Sequence, residues 1–109
     1  MVEIYTDGSS IGNPGPGGYG IVMQWKGKKY KKEFYSGYRY TTNNRMELLA
    51  VIKALEKLKK INQEVVVFSD SKYVIDAVEK KWVFKWRKDK FKGKKNSDLW
   101  KKFLKLFEI

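Results

Sequence analysis

The chain has neither cysteine nor histidine in its 109 residues. Without cysteine no disulfide can staple the fold, and no thiolate can hold a soft metal. Without histidine, Ser-His and Cys-His catalysis and imidazole ligation are excluded. Any metal is therefore held by oxygen, which favours Mg²⁺ or Mn²⁺ over zinc. Long apolar runs are missing too. The longest uninterrupted aliphatic stretch, Leu48 to Ile52, is too short to cross a membrane. Met1 leads straight into a strand pattern with no signal peptide visible, so the expectation is a cytoplasmic protein with no membrane partner. Acid is scarce: 12 Asp and Glu stand against 24 Lys and Arg, a net charge of +12. That excess points to a polyanionic partner.

What is present fits one domain, residues 1–109, with 42% hydrophobic and 16% aromatic residues to build its core. The positive charge is uneven. Residues 80–95 hold nine basic residues and one acid, Asp89. Three acids each sit inside a short polar motif: Asp7 in YTDGSSIGNPGPGGYG, Glu47 in TTNNRMEL and Asp70 in FSDSKYV. Each motif falls where the pattern ends a strand or begins a helix. Lone acids at element ends suit a divalent metal. On so basic a chain they make a negative pocket, the arrangement expected of a metal-dependent enzyme acting on nucleic acid.

Val2, Ile4 and Thr6 alternate with polar residues as in a strand, and Asp7-Gly8 is expected to end it. Gly12 to Gly18 reads as a loop, Tyr19 to Trp25 as a second strand, Lys26-Gly27-Lys28 as a hairpin turn and Lys29 to Tyr38 as a third strand. Thr41 to Asn44 offers helix caps, with Glu47 at capping-box spacing from Asn44. Leu48, Val51, Ile52, Leu55 and Leu58 then recur at helical spacing to about Lys60. Val65 to Phe68 has the continuous apolar character of a strand buried on both faces. Asp70-Ser71 caps a helix whose inner side carries Val74, Ile75 and Val78. Asn96 opens a last helix with Leu99, Trp100, Phe103, Leu104 and Phe107 as its apolar face. The order β-β-β-α-β-α-(basic insert)-α predicts an antiparallel β1-β2-β3 meander plus a parallel β4. A right-handed crossover would set the fourth strand beside the first. Asp7 and Asp70 would then sit at neighbouring carboxyl ends, where open α/β sheets bind ligands, and Glu47 in the first turn of the crossover helix would reach the same point.

The strings TDGSSIGNPGPGGYG, TTNNRMELLAVIKAL, SDSKYVIDAV, KKWVFKW and KNSDLW resemble, in order, the successive signature segments of the type 1 ribonuclease H family. The resemblance covers nearly the whole chain. It implies an α/β fold, the ribonuclease H-like mixed sheet with helices on both sides. It also implies endonucleolytic hydrolysis of the RNA strand of RNA–DNA hybrids, leaving 5′-phosphate and 3′-hydroxyl ends. Two Mg²⁺ ions (Mn²⁺ as the alternative) would serve as cofactors. Asp7 would bridge them, and Glu47 and Asp70 would hold one on the leaving-group side, with the Gly8 backbone alongside. Near the hybrid the resemblance places Gly8, Ser9, Asn13, Thr42, Asn43 and Asn44, with Thr42 and Asn13 matching a DNA-phosphate pocket. Lys72 stands where the family often has glutamine, which suggests a phosphate contact. The basic segment resembles the family's protrusion, with Trp82, Trp86 and Phe91 at aromatic positions and Lys85, Arg87, Lys88, Lys90, Lys92, Lys94 and Lys95 facing DNA phosphates.

Local structural readings stand beside these functional ones. A capping box would explain Glu47, an N-cap Asp70, turn chemistry Asn13, Asn43 and Asn44, and a core stripe Trp82 and Trp86. In the family, a further strand, a mobile loop with a histidine, a fourth active-site aspartate and a final helix follow the segment resembling NSDLW. The residues up to Ile109 hold no counterpart, and Asp76, Glu79, Asp98 and Glu108 are not substitutes. The expected fold is therefore truncated before its fifth strand. Two alternatives stay open: a binding module that does not cleave, and one part of a split or self-associating nuclease completed by another chain.

Overall fold

The computed structural model describes residues 1–29, 31–58 and 64–107. Three strands come first: β1 (Val2–Ser10), β2 (Gly15–Trp25) and β3 (Lys31–Thr41). Helix α1 (Asn43–Leu58) follows, then β4 (Val65–Phe68), α2 (Lys72–Glu79), α3 (Trp82–Lys88) and α4 (Ser97–Phe107). The sheet order is β3-β2-β1-β4. β1 and β3 flank β2 in antiparallel fashion, and β4 runs parallel to β1. The expected meander and crossover are both present, giving a mixed four-stranded sheet packed with four helices.

Alternation along β1 decides which face is covered. Val2, Ile4 and Thr6 are buried, and their neighbours across the ladder, Met23 and Ile21, are buried with them. Against this face lies α1, through Ala50, Ala54 and Leu58. The opposite side of α1 meets α2, α3 and α4 in a second cluster. There Leu48, Val51 and Ile52 pack with Val74, Val83, Phe91, Trp100 and Phe103. The other sheet face carries Tyr5 and Phe68, stacked at 4.9 Å and each more than two-fifths exposed. No helix among the described residues is long and apolar enough to cross a membrane.

Several boundaries depart from the local patterns. β1 does not end at Asp7-Gly8 but runs to Ser10, because the pairing with β2 continues through Ser10↔Gly17. The loop expected over Gly12 to Gly18 shrinks accordingly, and Gly15 already opens β2. β3 extends past Tyr38 to Thr41, and its pairing with β2 shifts register between Gly15 and Gly17. Lys29, its expected start, lies in a bend instead, and β3 opens at Lys31. Tyr30 lies outside the described residues, as do Lys60 at the expected end of α1 and Glu108. β4 is not buried on both faces. Val65, Val66 and Val67 are half-buried and Phe68 is exposed, because among the described residues β4 pairs only with β1.

The basic segment is not a featureless insert. It folds as α3 followed by turns in which Lys90 and Phe91 take positive φ, at 55° and 58°. Phe91 is 7% exposed and packs with the core, while also lining a cleft with Arg87 and Lys90. The expected core stripe of Trp82 and Trp86 splits. Trp86 packs edge-on to Trp100 with ring centres 5.9 Å apart, whereas Trp82 is exposed, with Lys80 Nζ 5.1 Å over its ring. Val83, between them, takes the core position.

Candidate active site

The parallel ladder between β1 and β4 closes at Tyr5↔Phe68. Asp7 and Asp70 each lie two residues beyond that pair, so one register brings both acids to the same end of the sheet. Asp70 stands in the link between β4 and α2. The N-cap of α2 is Ser71, whose hydroxyl accepts from the Val74 N–H at 3.3 Å, so Asp70 is not consumed by capping.

Glu47 is delivered by the close approach of α1 to β1. A Cβ on Gly8 would lie 2.5 Å from the Met46 carbonyl carbon and 2.7 Å from the Glu47 nitrogen. Only glycine allows helix and strand to meet there. At that meeting point the Gly8 N–H donates to Glu47 Oε1. Glu47 is therefore neither part of a capping box nor in the first turn. It is the fifth residue of α1, and the helix start is served by Thr42, whose hydroxyl accepts from Arg45 N–H at 3.2 Å.

Asp7, Glu47 and Asp70 each offer a carboxylate oxygen, and these three oxygens lie within 4.8 Å of one another. Asp7 and Asp70 are exposed, and Glu47 is 8% exposed. Burial pushes the Glu47 carboxyl above the usual carboxylate range. The Gly8 N–H pulls the other way, and the negative charges of Asp70 and Asp7 reinforce the upward shift. Like charges this close fit a cation. Mg²⁺ binds oxygen at about 2.0–2.1 Å in an octahedron, so ligand oxygens on one ion stand about 3–4 Å apart, compatible with this cluster.

A second polar assembly lies a turn away. The Arg45 guanidinium donates to Asp98 at 3.0 and 2.8 Å and to Asn96 Oδ1 at 3.1 Å. Asn96 Nδ2 and Trp100 Nε1 both donate to the Tyr73 hydroxyl, at 3.1 and 2.9 Å. Asn96 sits at positive φ, 61°, with its carbonyl accepting from Leu99 and Trp100 N–H. This network ties the first turn of α1 to α2 and α4. Sequence reasoning missed it, because the partners are far apart along the chain.

The remaining candidate residues divide by position. Asn13, Asn43 and Ser10 are knitted together: Asn43 N–H donates to Asn13 Oδ1 at 3.1 Å, and Ser10 N–H and hydroxyl both donate to Asn43 Oδ1. The oxygens of Asn13 and Asn43 thus brace the β1–β2 loop against the start of α1. Ser9, Asn44 and Lys72 are exposed beside the carboxylates in sequence, and Thr42 is half-buried. Lys85, Arg87, Lys88, Lys90, Lys92, Lys94 and Lys95 are all exposed. Together with Lys101 and Lys105, one turn apart on α4, Arg87 and Lys90 line a cleft of about 560 Å³. Those two α4 lysines were hidden in what reads as the polar face of an ordinary amphipathic helix.

An oxygen-only carboxylate cluster, set at one end of a mixed sheet on a strongly basic chain, is a site able to hold a hard divalent cation. The chain belongs to the ribonuclease H family: the family model described as RNase H matches residues 1–108. It is 51% identical over 113 residues to the ribonuclease H of Desulforamulus reducens, covering 99% of this chain and 69% of that one. It is 50% identical over 110 residues to the ribonuclease H of Trichodesmium erythraeum, covering 96% and 68%. The chain thus spans about two thirds of the length of these relatives. Among solved structures it resembles LC9-RNase H1, a type 1 RNase H with the type 2 active-site motif, with a TM-score of 0.81 and 30% identity over 96% of this chain and 56% of that one. It also resembles LC11-RNase H1 in complex with an RNA/DNA hybrid, with a TM-score of 0.73 and 32% identity over 99% and 75%. Family and acid triad together fit a divalent metal requirement.

Proposed function

We propose that the protein is an endoribonuclease that hydrolyses the RNA strand of RNA–DNA hybrids with Mg²⁺ as its cofactor, Mn²⁺ being the alternative. The observation that carries this reading is the cluster of Asp7, Glu47 and Asp70, brought together from three separate elements in a family of ribonucleases H. The bound metal would supply a nucleophilic hydroxide and charge neutralisation at the leaving oxygen. Asp7 and Asp70, both exposed, would hold the cation at the mouth of the site. Glu47 is oriented by the Gly8 N–H before any ligand arrives, which removes an ordering cost from binding. Ser9, Asn13, Thr42, Asn43, Asn44 and Lys72 would border the hybrid, whose RNA strand is distinguished by its 2′-hydroxyls in a wide minor groove. The exposed cations of residues 85–95, with Trp82, would engage the DNA backbone. Incubating a labelled RNA–DNA duplex with protein and Mg²⁺ tests the reading. Cut RNA with intact DNA is expected, and a shifted but uncut duplex would replace the nuclease by a binding module. Replacing Lys85, Lys88, Lys92 and Lys94 by glutamine should flatten the salt dependence of binding by about 0.9 log units per log salt for each phosphate no longer neutralised. An unchanged slope would remove this segment from the interface.

A second reading concerns assembly. The outer edge of β4 has no partner strand among the described residues. Beside it lies an apolar cleft of about 330 Å³, lined by Val65, Val67, Val74, Phe103, Leu106 and Phe107 among others. Open edges and apolar clefts favour self-association or a complementing chain. Light scattering tests this directly: a dimer mass supports it, and a monomer at high concentration with high thermal stability removes it.

A further inference from the structure

We propose that the outer strand β3, through Tyr35 and Tyr40, is a stacking surface for an unpaired DNA strand running on from a bound hybrid. This goes beyond hybrid cleavage and rests on that reading only for the identity of the strand. Tyr35 is 88% exposed and Tyr40 78%. Neither ring belongs to a core cluster, and what sets them apart from ordinary exposed side chains is the charge around them. Their setting is basic. Arg39 lies between them, exposed, and Lys26, Lys28 and Lys29 stand exposed in the turn leading into the strand. The strand's one acid, Glu33, is paired with Lys31 at 3.3 Å. Aromatic rings interleaved with cations suit a single-stranded nucleic acid, whose bases stack while its phosphates are neutralised.

Position ties the strip to the site. Register runs Asp7↔Gly20 and Gly20↔Tyr35, so Tyr35 stands in the same cross-strand row as a cluster carboxylate. That row spans two strand spacings, about 10 Å. Between the two side chains the surface is bare backbone. A Cβ on Gly20 would meet nothing within 4 Å, so packing does not exclude a side chain there. A glycine inside a strand weakens it and often marks a place where a ligand passes close to the backbone. At the other end of the strip, Tyr40 precedes Thr42 by two residues and Asn43, hydrogen-bonded to Asn13, by three. Thr42 and Asn13 form the proposed DNA-phosphate contact, so the strip continues the DNA side of the site. From Tyr35 to Tyr40 is at most about 17 Å of strand. The extra β3 residue between Tyr38 and Thr41, opposite Gly15 to Gly17, reverses the alternation so that two rings five residues apart share a face.

The test compares affinities by fluorescence anisotropy in chelator, where the duplex stays intact. The probes are a blunt RNA–DNA hybrid, the same hybrid with a thymidine tail on its DNA strand, and one with a uridine tail on its RNA strand. The native protein is expected to bind the DNA-tailed hybrid about ten-fold more tightly than the blunt one, the size of one base–aromatic stack. The double variant Tyr35→Ala/Tyr40→Ala should abolish that difference with blunt affinity unchanged, and Tyr35→Phe/Tyr40→Phe should keep it. The proposal is overturned if the DNA tail adds nothing, if the alanine variant keeps the difference, or if only the RNA tail produces it. Should the blunt hybrid itself not bind, the hybrid reading fails separately. Free oligothymidylate then decides for the strip: weaker binding by the alanine variant supports it, and equal binding overturns it.

Discussion

Glu47 of α1 and Asp98 of α4 are both carboxylates close to Arg45, by sequence for one and by contact for the other, and the fold surrounds them in opposite ways. Asp98 is met by the Arg45 guanidinium through two hydrogen bonds, and that pairing holds its carboxyl below the usual range. Glu47, two residues from Arg45 on the same helix, faces Asp7 and Asp70 instead. Its carboxyl is pushed up by burial. Asp98 is compensated by the protein. Glu47 is left for something else to compensate, which is how carboxylates look where a cation is to be bound. One acid serves the fold, and the other is tolerated by it.

The sharpest way to break this contrast is to neutralise Glu47. Glu47→Gln keeps an oxygen for the Gly8 N–H but removes the charge. Hybrid cleavage should fall by at least about 100-fold, since even outer-shell changes at metal sites cost about 10- to 100-fold. Retained cleavage would detach Glu47 from the reaction. Next in size is the response to metal. Mg²⁺ at about ten times its dissociation constant should stabilise the native protein by about 1.4 kcal/mol. Thermal melts should show that stabilisation disappearing in Glu47→Gln, and a flat native response up to tens of millimolar would remove the cation site. Asp98→Asn should cost no more than about 1 kcal/mol in denaturant melts, because the pair it breaks is largely exposed. A much larger loss would mean that the Arg45–Asn96–Tyr73 network fails with it.

The smallest effects, in pH, carry opposite signs. Glu47 has a raised pKa in the fold, so its favourable contribution is full below its unfolded pKa and is lost as pH rises through the folded value. Asp98 has a lowered pKa, so its contribution is full above its unfolded value and is lost as pH falls through the folded one. In chelator, Glu47→Gln should therefore rise relative to the native protein in melting temperature as pH climbs toward neutral. The deficit of Asp98→Asn should shrink as pH falls below the ordinary carboxylate range. Parallel pH profiles for the two variants would show that the two environments do not differ.

The motifs around Asp7, Glu47 and Asp70 were legible because their topology follows from element order. A strand, a crossover helix and a parallel strand must bring their ends together. The local reasons first available for two of them were misleading. The capping box suggested for Glu47 is replaced by a hydrogen bond with a residue 39 positions away, and the cap suggested for Asp70 is taken by Ser71. Phe91 read as a surface aromatic among lysines, yet two successive residues at positive φ fold it into the core. The clamp joining Arg45, Tyr73, Asn96 and Asp98 left no trace in spacing, since each residue is ordinary for its own element.

By itself, then, the sequence settled chemistry and order. It carries no sulfur or imidazole ligand of the cysteine or histidine kind, a large positive excess, three acids at strand and helix junctions, and a β-β-β-α-β-α-α succession with its helical faces marked. Those follow from side-chain type and short-range periodicity, which are local. Tertiary structure alone decided which acid is buried, which is neutralised by arginine and which aromatic rings reach solvent. It also decided where β1 ends. Each of these depends on a partner distant in the chain: Gly8 for Glu47, Arg45 for Asp98, Gly17 for Ser10. Burial and pairing energies arise only when such partners meet, so no local pattern records them.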